Sequence, residues 1–180
     1  MNESNPKPPV DLSGEHTVIS KAELEATRRE VHHWFFEDYL PRWVAASSGK
    51  SGEGPEFILE YWGTPMYVTG LGTMFWCLSD TDILAFLDAN QTSLRAAGYT
   101  HTVVPDSQIN VYNTVGAAVE VIWSRRSADE TEIQRWANHF EVAKTERGWR
   151  VVGVQAAHTK SATLAESWSH GTDAQESNDG

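Results

Sequence analysis

The sequence predicts an α+β fold, in which a curved antiparallel sheet wraps around N-terminal helices and leaves a cavity between the two layers. Two observations carry this. Helical patterns crowd the first half of the chain, with only short strands among them. The stretch from Val115 to His158 then reads as three long antiparallel strands: Ala117–Arg126, Thr131–Lys144 and Gly148–His158. Ser127-Ala128-Asp129-Glu130 and Thr145-Glu146-Arg147-Gly148 form the turns between them. A long meander that follows its helices offers them one apolar face to pack on.

The elements follow in order. Ser20-Lys21-Ala22-Glu23 is a capping box and starts a helix that runs to about Leu40. Pro41 ends it and opens a short second helix to about Ala46. The stretch from Ser47 to Gly54 is a Gly- and Ser-rich loop. Its Gly49-Lys50-Ser51 triplet lacks both the glycine five residues earlier, where Val44 stands, and a preceding strand, so it is not read as a phosphate loop. Pro55 to Trp62 is a short helix or turn, and Met66–Thr69 with Thr73–Leu78 form a small hairpin. Ser79 or Asp80 caps a third helix, which Gly98 stops. Its inward stripe is Ile83, Phe86, Leu87 and Leu94, interrupted by Asn90. Tyr99–Val104 and Gln108–Asn113 are further strands, separated by Pro105.

The 180 residues suit one domain over 20–158, with a polar tail over 1–19 and an acidic tail over 159–180, both read as disordered. Leu164-Ala165-Glu166-Ser167-Trp168 in the second tail reads either as a short docking turn or as unstructured chain. The net charge is −11, and without the tails 12 bases face 18 acids. An acidic body lacks the basic footprint that nucleic acid or an anionic membrane requires, so neither is an expected partner. Cys77 is the one cysteine, set in the apolar run Met74-Phe75-Trp76-Cys77-Leu78, and reads as a buried, inert thiol. The opening residues have no basic stretch leading into an apolar one, and no apolar run nears the ~20 residues of a membrane span. A cytoplasmic protein is expected.

Register decides which side chains enter the cavity. A short loop at Ala128-Asp129 pairs Trp123 with Gln134, Val121 with Trp136, Val119 with Asn138 and Ala117 with Phe140. Val119, Val121, Trp123, Trp136, Phe140 and Val142 then share the inward face. Pairing Lys144 with Trp149 sets Val142 against Val151, Phe140 against Gly153 and Asn138 against Gln155. Two amides thus meet on an apolar face, either as a mutually satisfied pair or as the polar anchor of a pocket. The outward face carries Glu120, Ile122, Ile133, Ala137, His139, Val152 and Val154. It is too apolar for solvent, and the helices are already used on the other side, so a homodimer through this face is expected. His139 and Glu120 would lie in or beside that interface, within cross-strand reach of each other.

On the first helix Leu24, Val31 and Phe35 set the buried stripe. Asp38 falls near it and Tyr39 flanks it. A carboxyl on a buried helical face is a candidate proton carrier, and an ion pair to Arg42 is the plain alternative. Asp38 and Tyr39 are therefore the catalytic candidates. Trp123, Trp136, Asn138, Phe140 and Gln155 are the ligand-binding ones. His32 and His33 diverge on a helix, and no other set has ligand spacing, so no metal and no cofactor are expected.

Three segments carry a family resemblance: Glu30-Val31-His32-His33-Trp34-Phe35-Phe36-Glu37-Asp38-Tyr39, Ala117-Ala118-Val119-Glu120-Val121-Ile122-Trp123, and Arg147-Gly148-Trp149-Arg150-Val151-Val152-Gly153-Val154-Gln155. Over about residues 20–158 the chain resembles the nuclear transport factor 2-like superfamily, with its SnoaL-like polyketide cyclase and ketosteroid isomerase branches. The resemblance implies a cone-shaped fold, a pocket inside the cone, and dimers packed through the sheet. It also implies, for the enzymes of that superfamily, an Asp with a Tyr or His that moves protons beside a carbonyl or epoxide. Gln155 stands where many such relatives carry His. The function expected is binding of a small apolar molecule, with isomerase, cyclase or dehydratase chemistry by general acid–base catalysis. The alternative is a non-catalytic dimerisation or ligand-binding module.

Overall fold

A computed structural model of the chain describes residues 18–70 and 72–168. The tail expected over residues 1–19 lies outside them up to residue 17, and the second tail lies outside them from residue 169.

Helix α1 (Lys21–His32) opens on the expected capping box: Ser20 Oγ accepts the Glu23 N–H, and the Glu23 carboxylate accepts the Ser20 N–H at 2.8 Å. The chain does not break before Pro41. It widens through His33–Tyr39 into a π-helical segment, where Leu40 N–H reaches back to Phe35 O, and then runs into helix α2 (Leu40–Ser47). A proline ring inside a helix clashes with the carbonyl four residues earlier and cannot donate a hydrogen bond. The wide turn just ahead of Pro41 absorbs both demands without ending the helix.

After a 3₁₀ turn at Pro55–Glu60 come strands β1 (Trp62–Gly70) and β2 (Thr73–Cys77), then helix α3 (Asp80–Ala96). Helix α3 has its own capping box, Ser79 with Asp82, and ends before Gly98 at φ 77°. Strands β3 (Tyr99–Val103), β4 (Ser107–Asn113), β5 (Gly116–Ser127), β6 (Glu132–Thr145) and β7 (Gly148–His158) follow, then the four-residue helix α4 (Leu164–Ser167). The sheet order is β2-β1-β7-β6-β5-β3, with β4 on the same side of β5 as β3. It is a large curved, mixed sheet that does not close. The meander is antiparallel as expected, whereas β1 runs parallel to β7. The helices pack on its concave side around Val31, Phe35, Ile58, Met66, Ile83 and Val142, all at most 1 % exposed.

The β5–β6 hairpin departs from its expected register, and β6–β7 keeps the expected pairs Lys144–Trp149 and Val142–Val151 but departs beyond them. In β5–β6 the turn holds more residues, and Ile133 is an extra residue between the pairs Arg126–Glu132 and Arg125–Gln134. Trp123 therefore faces Trp136, Val121 faces Asn138 and Val119 faces Phe140. The slip is two residues, one full pleat, so the inward set survives. In β6–β7 a bulge at Val152 lies between the pairs Val142–Val151 and Glu141–Gly153. One extra residue reverses every side chain beyond it. Phe140 faces Val154 rather than Gly153, Asn138 faces Ala156 rather than Gln155, and Val154 turns into the core.

The outer face is also not left bare. Leu164, 5 % exposed, packs on fully buried Ile122 and Ala137, with Trp168 beside it. The segment leading there is tied to the sheet: Thr159 N–H donates to Arg135 O, Arg135 Nη1 to Ser161 O at 3.2 Å, and Leu164 N–H to the Asp106 carboxylate at 2.8 Å. Of the two readings of this stretch, the docking turn is the one observed. The premise of the dimer expectation, that no helix remains to cover Ile122 and Ala137, is corrected by α4.

Candidate functional site

A cavity of about 270 Å³ opens between the helices and the concave face of the sheet. Eight of the residues that line it are aromatic, among them Trp43 beyond the π-helical segment, Trp62 on β1, Phe86 on α3, Trp123 on β5, and Trp136 and Phe140 on β6. Apolar clefts with a few placed polar groups are the usual form of small-molecule sites.

Seven polar side chains reach the lining: Tyr39, Thr69, Thr73, Asn90, Thr102, Arg125 and Asn138. Tyr39 is 3 % exposed and its hydroxyl accepts the Trp62 indole N–H at 3.3 Å. Burial pushes its phenol well above the ordinary range, so it stays protonated near neutral pH and has a proton left to donate. Asn90 gives an amide proton to Phe86 O at 2.8 Å. Thr102 Oγ1 and the Tyr99 hydroxyl share a 2.6 Å hydrogen bond. Asn138 is buried between Val121 and Ala156, and its amide oxygen has no partner among the described residues.

Arg125 is the one charged group in the lining. It sits on β5 between Thr102 of β3 and Gln134 of β6. Its guanidinium carbon lies 4.9 Å from the centroid of the Trp43 ring, a cation–π contact. Among the described residues it has no carboxylate within ion-pair distance, and its Nε is buried without a partner. The side chain keeps some accessible surface because the cavity lies against it. The protein packed around it nonetheless pushes its pKa down to about 10 through desolvation, offset only by the nearby Tyr99 and Tyr39.

Of the residues singled out from sequence, Tyr39, Trp123, Trp136, Asn138 and Phe140 line this cavity together, and Asp38 and Gln155 do not. Asp38 is exposed on the helix surface. Phe35 and Tyr39, four residues apart, share the buried line because a π-helical turn is wider than an α-turn, and a residue three positions on falls short of it. Gln155 is exposed on the outer face by the β7 bulge, where its amide donates to the Tyr67 hydroxyl at 3.4 Å. The sequence reading missed Arg125. The signal was present, since continuing the alternation Val119, Val121, Trp123 by one more step brings it inward. It also missed Gln91, buried on α3 and donating to Ser47 Oγ at 3.2 Å, one residue past the Asn90 that it named.

His139 lies outside the cavity, on the outer face. It pairs directly across from Glu120, with Nδ1 at 3.2 Å from the Glu120 carboxylate and Nε2 at 3.1 Å from that of Glu141. Among the described residues no group of three or more His, Cys, Asp or Glu side chains is placed to hold a metal ion. No helix among them is long and apolar enough to cross a membrane.

A family model described as an NTF2-like protein (DUF6841) matches residues 29–159. Among solved structures, an NTF2-like protein with a cystatin-like fold from Novosphingobium aromaticivorans superposes with a TM-score of 0.57 at 21% identity, covering 77% of this chain and 86% of that one. An uncharacterized protein with a cystatin-like fold from Caulobacter vibrioides gives 0.54 at 11% identity, with 74% and 90% covered. A domain of unknown function from Nostoc punctiforme, also with a cystatin-like fold, gives 0.51 at 14% identity, with 83% of each chain covered. At such identities the likeness is one of fold. No curated protein matches the chain.

Proposed function

This chain belongs to the NTF2-like family DUF6841, and from that premise we propose that it binds a small, largely apolar molecule in the cavity of its cone. The observation that carries the reading is the cavity itself: about 270 Å³ left open among eight aromatic side chains, beside a close-packed core. Larger side chains at Val68, Val154 or Ala156 would close it.

The lining favours binding over acid–base turnover. Its two ionisable side chains are Tyr39 and Arg125, both held in their protonated forms near neutral pH. Asp38, the proton carrier suggested by sequence, is turned to the surface. Tyr39, Asn138 and Thr102 supply hydrogen bonds that would orient a guest, and the aromatic walls supply its burial.

The test uses naphthalene and indole as neutral probes. Trp43, Trp62, Trp123 and Trp136 report occupancy through their fluorescence, and the melting temperature rises with a ligand that binds only the folded state. Ala156→Trp fills the cavity from β7 and should remove both signals while the far-ultraviolet spectrum is unchanged. A wild-type protein that answers to neither probe at their solubility limit defeats the reading.

A further inference from the structure

We infer that the cavity is built for a monoanion: an apolar, ring-sized body bearing one carboxylate, with the carboxylate seated on Arg125. This rests on the binding function proposed above and names the chemical class of its ligand.

An arginine turned into an apolar cavity with no acid beside it is costly, because the charge loses water and gains no partner. Acids commonly stand beside a base whose role is only structural, as beside the partly exposed Arg42, Arg135 and Lys144, whereas the buried Arg150, outside the cavity lining, has none among the described residues and donates to Trp149 O at 2.7 Å. Arg42 is clamped by Glu53 at 2.8 Å and Glu60 at 2.7 Å, Arg135 holds Glu132 at 2.7 Å, and Lys144 holds Glu30 at 2.6 Å. Arg125 alone among the charged groups lines the cavity, and among the described residues it has only the Trp43 ring face and flanking hydroxyls. A ring face stabilises the guanidinium from one side and leaves its edge of N–H donors free. That edge matches a planar carboxylate, which can take two parallel hydrogen bonds.

The rest of the lining narrows the class. A single cation neutralises a single charge, and no second Lys, Arg or His lines the cavity, so a dianionic phosphate would be left half unpaired. The body of the ligand must be apolar and flat enough to lie among Trp123, Trp136 and Phe140. Asn138, two strand positions from Trp136 on the same face, adds an amide to the cavity wall. The overall charge of −11 does not oppose this, because exposed acids act weakly beyond a Debye length of about 8 Å at physiological salt.

The experiment compares 2-naphthoate with 2-naphthamide, which share shape and differ in charge, by tryptophan fluorescence titration and melting temperature. The variants are wild type, Arg125→Gln and Arg125→Met. The wild type should bind the carboxylate at least tenfold more tightly than the amide. Both variants should bring that ratio close to one while still binding the amide. With no ligand, Arg125→Met should melt at or above the wild-type temperature, because it removes a buried charge. If the amide binds the wild type as tightly as the carboxylate, the anion inference falls and the apolar binding site stands. If neither probe binds, both fall. If Arg125→Met melts well below wild type and keeps the carboxylate preference, the arginine is structural and the inference is overturned.

Discussion

The ring of Tyr67 on β1 lies against Gly153 on β7, so close that a Cβ at Gly153 would overlap its Cε1 and Cζ. The contact sits one residue after the bulge at Val152, where parallel pairing with β1 begins again. Gly153→Ala should destabilise the protein by about 1–3 kcal/mol, the range for overpacking a closed site. Thermal unfolding of the double variant with Tyr67→Ala checks the cause: the two changes should be clearly non-additive, because the second removes the ring that the first strikes.

Asp38→Asn should change neither stability nor the affinity for the neutral probes, since an exposed substitution away from special contacts stays within about 0.5 kcal/mol. Tyr39→Phe keeps the ring and removes the hydroxyl that holds Trp62. It should weaken the fold by about 1 kcal/mol, the net worth of a buried hydrogen bond. A tenfold loss of probe binding in Asp38→Asn would show that the site lies elsewhere.

Leu164→Ala should cost about 2 kcal/mol, the low end for a buried leucine, because α4 is short and only one side of it is packed. Amide exchange should rise along Ala137 and Ile122, the residues that Leu164 covers. If exchange there is unchanged, α4 does not shield this face in solution.

The cap of α3 gives a pH signature. Hydrogen bonds from the Ser79 hydroxyl and from the Leu78 and Ser79 N–H groups hold the Asp82 carboxyl below its ordinary 3.8. A depressed carboxyl contributes stability that is present above its unfolded pKa and lost as pH falls through the folded one. Melting temperatures of wild type and Asp82→Ala should therefore differ most near neutral pH and converge as pH drops below 3.8. A gap that stays constant into strong acid would assign the difference to something other than this carboxylate.

Much of the frame was legible in the residues themselves. The capping box at Ser20, a cap at Ser79 or Asp80, the stop at Gly98, the break at Pro105 and the long alternations of β5, β6 and β7 are local signals, each set by the chain's own donors, acceptors and side-chain periodicity. Alternation also placed Trp123, Trp136, Asn138 and Phe140 on the inward face, and a two-residue slip left them there because a pleat repeats every second residue.

What the tertiary structure alone decided lies where one extra residue changes direction. The π-helical turn ahead of Pro41 brought Tyr39 in and left Asp38 in solvent. The bulge at Val152 turned Gln155 out and Val154 in, and α4 laid Leu164 over Ile122 and Ala137. None of these has a reliable local cue, because a bulge or a wide turn is stabilised by what packs across it: Tyr67 over Gly153, Trp62 on Tyr39, Ile122 under Leu164. The lone charge of Arg125 belongs to the same class. The pleat could aim it inward, but only the assembled strands and helices could show that no acid waits for it among the described residues.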